Sequence, residues 1–322
     1  MDRAVWITWE NQRRNKTLSK ELAVELHQLE ANTHRLLRYP LLIVRTFYTL
    51  LKTRPKIIFS QNPSIFLAML VVLYGQVFRK TTVVDCHNAG IFPFDGKYWW
   101  ATRMSYYIFR NSSLIIVTND ALKLYVEEQG GQAFILPDPF PELKGNSSLP
   151  LAGDLNFLLI CSWAEDEPYE EVINAFSSLN KNWTLYITGN SKGREKNISG
   201  VLPDNVSLTG YISDKEFDDL LCSCDCVIDL TTREDCLVCG AYEAVSAGKP
   251  LILSDTRTLK DYFQGAAIYT ENTVEHIRSA VTGAAENLSV AAKQVVDYRN
   301  KQKIQWNEMR DDLIKKINES SF

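Results

Sequence analysis

Asp235 and Glu243, with seven residues between them, lie in the stretch Cys226 to Thr256, CVIDLTTREDCLVCGAYEAVSAGKPLILSDT. Cys226 to Leu230 is a short apolar run of strand type, and Thr231 to Asp235 is a polar loop. Leu237 to Ala247 is helix-compatible, stopped by Gly248 and Pro250, and Leu251 to Leu253 is a second buried strand. Such a βαβ unit places its strands parallel with a right-handed crossover, and the loop ahead of the helix sits where open α/β sheets bind ligands. Asp235 then lies at the helix mouth and Glu243 about two turns further in, at ~1.5 Å per residue. The free N–H groups of the first turn, around Val238 to Gly240, can hold a phosphate, and Gly240 has no side chain to obstruct it. An acid two turns down can accept hydrogen bonds from a ribose diol. A solvated acid at a helix start plus one on the helix face fits the same spacing.

Other chemistry-bearing residues also fall at predicted strand ends. Glu10, Asn11 and Arg14 lie in or beside NQRRNK, the loop between a strand at Ala4 to Glu10 and a helix predicted over Leu18 to Leu29. His87 and Asn88 follow the strand Thr81 to Cys86 (TTVVDC). GNSKGREK, after the strand Trp183 to Thr188, is basic and carries glycine, which suits contact with a diphosphate. A solvated loop or a structural histidine is the alternative at these positions.

The elements that must position these residues alternate along the chain. Lys56 to Gln61, Thr81 to Cys86 and Leu114 to Thr118 are strands, each followed by a helix, and Ala133 to Leu136 closes the first series. Pro137 to Gly153, with four prolines and no periodicity, is a linker. The pattern then repeats. Asn156 to Cys161, Trp183 to Thr188, Val206 to Leu208 and Ala267 to Thr270 join the strands of the Cys226–Thr256 unit, and helices at Tyr169 to Leu179, Asp214 to Cys224 and Thr273 to Leu288 come between. A polar helical run from Val290 to about Asn318 ends the chain. Alternating strands and helices predict α/β domains built on parallel sheets, and 322 residues suit two of them.

Residues 1–145 carry 18 basic and 12 acidic side chains, a balance of +6, against 17 and 27 in residues 146–322, a balance of −10. A basic half beside an acidic one implies an anionic partner for the first. Tyr39 to Thr53 and Trp99 to Arg110 mix large apolar or aromatic residues with Arg and Lys, as at a membrane interface; packing on the sheet is the alternative. No nucleic-acid module is present. Residues 1–20 have no apolar secretory core, and the longest apolar run, Ile65 to Phe78, is short for a membrane span. The seven cysteines lack zinc or disulfide-framework spacing, which predicts buried reduced thiols and a cytoplasmic protein.

EAVSAGKP, Glu243 to Pro250, resembles the nucleotide-sugar site of the group 1 retaining glycosyltransferases, in which two glutamates flank seven residues; here Asp235 takes the first position. ITGN, Ile187 to Asn190, and GYIS, Gly210 to Ser213, are similar to loops of that family's donor domain. QNPS (Gln61 to Ser64), VVDCHNAG (Val83 to Gly90) and CSWAEDEPYEEVINAF (Cys161 to Phe176) resemble the chitobiosyldiphosphodolichol β-mannosyltransferases, inverting enzymes acting on a lipid diphosphate. Ser162 and Trp163 stand where retaining members carry Arg or Lys.

These resemblances imply an α/β protein of GT-B fold, with two Rossmann-like domains facing a central cleft. An acceptor domain covers residues 1–140, a linker 141–154 and a donor domain 155–300, with a C-terminal helix, 301–322, packing back toward the first domain. Ser162, Trp163, Gly189, Asn190, Lys192, Tyr211, Ile212, Cys239, Gly240 and Glu243 are implied donor contacts, with Glu243 on the ribose and Lys192 on the diphosphate. Glu10, Asn11, Arg14, Asn62, His87 and Asn88 are implied acceptor contacts. His87, Asp235 and Glu243 are implied catalytic residues, and Asp95, Glu10 and His87 are candidate bases for an inverting reaction. Without a D-x-D motif no metal or other cofactor is expected. The expected partners are a nucleoside-diphosphate sugar, a lipid-linked or glycan acceptor and the inner membrane surface, with the protein peripheral to it. A nucleotide-sugar 2-epimerase or a non-catalytic partner subunit would share the fold.

Overall fold

The computed structural model describes residues 1, 3–31, 35–62, 64–147, 149–192 and 202–319. The chain divides into two compact units, Met1–Pro139 with Ile304–Phe322, and Phe140–Lys303.

The first unit is a six-stranded parallel sheet of β1 (Ala4–Thr8), β2 (Glu25–Gln28), β3 (Ile57–Asn62), β4 (Thr81–Cys86), β5 (Leu114–Val117) and β6 (Ala133–Ile135), in the order β2-β1-β3-β4-β5-β6. Its helices are α1 (Arg13–Glu21), α2 (Arg35–Thr53), α3 (Ile65–Phe78), α4 (Asn88–Ile91), α5 (Trp99–Asn111) and α6 (Asp120–Glu128). Successive strand residues face opposite layers: Trp6 packs with Phe59 and Leu18 on one side, Val5 and Ile7 with Leu42 and Val71 on the other.

The helix predicted over Leu18 to Leu29 stops at Glu21, and β2 takes its second half. Leu22 and Ala23 donate N–H bonds back to Leu18 and Lys20, and Ala23 adopts a left-handed backbone, φ 52°, that ends the helix. From Val24 onward apolar and polar residues alternate, so Leu22 serves both periods and the helical spacing extends falsely past the break.

The second unit has β7 (Leu155–Leu159), β8 (Trp183–Thr188), β9 (Val206–Gly210), β10 (Cys226–Asp229), β11 (Leu251–Ser254) and β12 (Ile268–Thr270), all parallel, in the order β12-β11-β10-β7-β8-β9. Helices α7 (Tyr169–Ser177), α8 (Asp214–Ser223), α9 (Cys239–Ala247), α10 (Arg257–Phe263) and α11 (Val274–Glu286) cover it. The strand order reverses between β7 and β10, a Rossmann-type switch point where a crevice opens at the carboxyl ends. The described residues of 140–154 are fastened to this unit. Lys144 and Asn146 donate backbone N–H bonds to Asp218 and Asp219, Ala152 to Tyr186 Oη, and Phe140 packs on Tyr242.

Helix α12 (Leu288–Glu319) begins in the second unit, where Val295 and Tyr298 are core residues, and ends in the first, where Trp306, Leu313 and Ile317 join Trp6 and Leu18. Trp306 donates its indole N–H to Pro137 O at 2.9 Å. No described helix is long and apolar enough to cross a membrane.

Candidate active site

In the second unit the crevice is walled by two loops, Ile160 to Pro168 after β7 and Leu230 to Val238 after β10. The first is folded around the Glu167 carboxylate. It accepts the backbone N–H of Ser162 at 2.9 Å, the Ser162 hydroxyl at 2.8 Å, the N–H of Ala164 at 2.8 Å and the Cys161 thiol at 3.3 Å. Trp163 is buried beneath this loop with φ 64°, its indole N–H on Thr188 O at 3.0 Å and its ring against Tyr169. Expected to touch a donor, it is instead part of the core, because its ring fills the space between β8 and α7. Ser162 remains exposed.

Asp166 ties the two loops together. It accepts the Thr231 hydroxyl at 3.0 Å, and Arg233 Nε lies 3.1 Å from the same carboxylate oxygen. Beyond this clasp, Asp235 is exposed and Glu243 half-buried on α9. Helix α9 starts at Cys239, two residues later than predicted, and Val238, its N-cap, has no oxygen to cap it. Gly189 (φ 87°) sits so close to Cys161 O that no side chain fits, which brings the ends of β7 and β8 together. Asn190, exposed, accepts the N–H of exposed Lys192 at 3.2 Å. The rest of the predicted basic loop, residues 193–196, lies outside the described residues. Tyr211 is 87% exposed and Ile212 half-buried, packed against the core.

Sequence reasoning passed over Asp229, the last residue of β10. Strand alternation turns it to the layer of Val227, where α9 packs. A side chain at Gly240 would come within 2.6 Å of Asp229 Oδ2. Burial raises the Asp229 carboxyl well above the usual carboxylate range, and the charges of Glu167 and Glu243 add to this, while the N–H groups of Gly240 and Ala241 pull the other way. Its signal was an acid closing an otherwise apolar strand, CVID.

In the first unit the residues expected to meet an acceptor separate into two groups. Arg14 is buried and committed inward. Its guanidinium clasps Asp85 through Nε (2.9 Å) and Nη2 (2.7 Å), and reaches Asp138 (2.6 Å) and Leu136 O (3.2 Å). Asn62 is also interior, donating to Gly90 O at 3.2 Å. Both hold strand ends in place, with their donors used within the fold rather than turned to an acceptor. Glu10, half-buried, accepts from Gln12 at 2.7 Å, in a chain that continues through Gln61 to Asn15. Asn11 is exposed, and His87 and Asn88 half-buried at the start of α4, with His87 Nε2 3.5 Å from Asp85 Oδ2. Asp95, exposed, has a left-handed backbone like Phe94 before it.

Burial works against the Asp85 charge, but the Arg14 guanidinium overrides it, with His87 adding to the effect, and holds Asp85 well below the usual carboxylate range. A depressed carboxylate contributes stability above its unfolded value, about pH 4, that is lost as pH falls further. The melting temperature is therefore expected to drop steeply below about pH 4, and a pH series on wild type and Asp85→Asn, whose profile should flatten there, checks it.

No two of the cysteines form a disulfide, but only Cys86, Cys161, Cys224 and Cys226 are buried. Cys222 and Cys236 are half-buried and Cys239 exposed, against the expectation of buried thiols, because the turn into α9 lifts Cys239 outward.

Residues 152–302 match the model of the family described as Glycosyl transferases group 1. The two parallel Rossmann-type sheets have the GT-B fold, and the match over the second unit supports a glycosyltransferase. Among solved structures it is similar to HepE of Anabaena in complex with UDP-glucose (14% identity, 97% of this chain and 99% of that one, TM-score 0.76). It is also similar to WaaG, a glycosyltransferase involved in lipopolysaccharide biosynthesis (13%, 97% and 98%, TM-score 0.66). A UDP-N-acetylglucosamine 2-epimerase described for Listeria monocytogenes shares the fold (11%, 92% and 91%, TM-score 0.63). No curated protein sequence matches. The resemblance to the β-mannosyltransferases rests on the three quoted segments alone.

Proposed function

We propose that the protein transfers a sugar from a nucleoside-diphosphate sugar, held by the second unit, to a lipid-linked or glycan acceptor at the cytoplasmic face of a membrane, without a metal. The observation that carries this is the placement of Asp235 and Glu243 at the mouth and on the body of α9, beside the β7–β10 switch point and within the residues matching the glycosyltransferase model. Glu243 takes the ribose hydroxyls, the first-turn N–H groups of α9 and Lys192 take the diphosphate, and Asp235 positions the sugar. That HepE was solved with UDP-glucose supports a donor of this class.

Support for a membrane acceptor comes from the surface of the first unit. Leu37, Val44, Tyr48 and Leu51 on α2 are 54–67% exposed, and Trp99 at the start of α5 is 70% exposed with Arg103 5.3 Å over its ring. Exposed Arg38, Arg45, Lys52 and Arg54 lie among or just after the α2 residues, and α2 has no acid. Rings at headgroup depth beside cations suit an anionic surface.

The test is thermal shift with UDP-, GDP-, ADP- and dTDP-sugars in EDTA, followed by product analysis, with flotation on vesicles with and without anionic lipid. One donor should stabilise the protein in EDTA and yield a glycosylated product, and only anionic vesicles should carry the protein. No shift from any donor would favour a partner subunit, and an epimerised free nucleotide sugar would favour the epimerase reading. In the same samples Cys239, at the start of α9, should react fastest with a thiol reagent and be protected by bound donor, as mass spectrometry would show.

A further inference from the structure

The N-terminus of α9 already has an acid facing it from within the fold. Asp229 is 94% buried by its 6% exposure, its Oδ2 has no hydrogen-bond partner, and Oδ2 points to the Gly240 turn. The N–H groups of Gly240 and Ala241 favour its ionised form. They are the second and third N–H groups of the helix, the ones an N-cap side chain normally serves, and Val238 cannot serve them. Asp229 therefore competes for the positive end of α9 with any anion that binds there from the crevice.

The groups around it sharpen the competition. Glu167, from the loop after β7, and Glu243, from α9, both act on Asp229 as like charges. The thiols of Cys161 and Cys236 lie near enough for the Asp229 charge to raise them: Cys236, mainly through burial, is pushed up to about 11, and Cys161 is raised further, also mainly by burial. Arg233 reaches Cys236, but it also lies on Asp166. A diphosphate brings further negative charge to the same helix end, and the arrangement accommodates it best when Asp229 is neutral.

We propose that Asp229 is a positioning residue of the donor site, through which binding of a diphosphate at α9 is tied to uptake of a proton from solvent on Asp229 Oδ2. The inference rests on the donor reading of this unit. Protonation cancels the buried charge, releases the first-turn N–H groups toward the phosphate and removes one of three clustered acids. Binding then weakens as pH rises.

Calorimetric titration with UDP-, GDP-, ADP- and dTDP-glucose tests this, in buffers of different ionisation enthalpy. These phosphate diesters carry no titrating proton between about pH 5.5 and 8, so proton uptake belongs to the protein. Wild type should take up as much as one proton, with affinity falling by up to about tenfold per pH unit where Asp229 titrates. Asp229→Asn should show little uptake, a flat profile, and affinity at the high end at least equal to wild type. Measurable binding of a sugar nucleotide by wild type without proton uptake at any pH of the series would overturn the inference and leave the donor reading standing. Uptake that persists in Asp229→Asn would also overturn it. No binding of any of the four at any pH would remove the donor reading, and this inference with it. Because the wild-type measurement stands alone, the test survives even if Asp229→Asn folds poorly.

Discussion

Glu243→Ala is expected to lower turnover by about 100-fold or more, because a donor that loses its ribose anchor drifts from the reacting geometry by the fraction of an ångström that catalysis tolerates. Its melting temperature should stay near that of wild type. Glu243 is half-buried on the body of α9, so its loss removes no core volume, and the neighbouring Ala241, Ala244 and Val245 keep the helix on the sheet. A surface change of this kind costs within ~0.5 kcal/mol. Removing one like charge from the neighbourhood of Asp229 offsets part of that. Steady-state kinetics with the donor found in the thermal-shift panel, set beside a melting curve, checks both halves. An unchanged kcat/KM would place the donor site elsewhere.

Arg14→Ala should have the largest effect on stability. The side chain is buried, and its guanidinium meets Asp85 and Asp138, which approach from two elements distant in sequence. Removing it leaves Asp85 fully buried without its two-pronged guanidinium partner. Breaking a buried ion pair from one side costs about 3–5 kcal/mol, enough to unfold a domain of ordinary stability. Arg14→Lys should recover only part of the loss, since a point charge cannot reproduce the two-pronged contact. Denaturant unfolding of the two variants beside wild type measures the cost. A difference below about 1 kcal/mol would mean that water replaces the guanidinium, as it does for exposed pairs.

These two residues also show what the sequence makes legible. Glu243 lies in a local unit whose strand, loop, helix and stop are all written within 31 consecutive residues, from Cys226 to Thr256. The apolar runs of β4 and β8 are found with their observed ends because turn residues or charges bound them. Arg14 reads as a loop residue facing an acceptor or solvent because its partners stand 71 and 124 residues away, and no periodicity carries that information. Asp229 was hidden for a related reason. A strand-end acid is ordinarily a loop residue, and only the packing of α9 over Gly240 encloses it. Trp163 and β2 were missed through backbone conformation, each beside or at a non-glycine residue with φ above +50°.

The contribution of α12 to the core of the first unit also affects synthesis on the ribosome. Residues 1–139 emerge first, yet their core is closed by Trp306, Leu313 and Ile317. At about 5–20 residues per second, the nascent first unit waits on the order of ten to thirty seconds for those side chains. The apolar layer that α12 later covers stays open meanwhile. The second unit, one continuous stretch of sequence, can close before the one made first. A chain stopped near Lys303 would thus present a finished donor half joined to an unfinished partner, a natural substrate for chaperones.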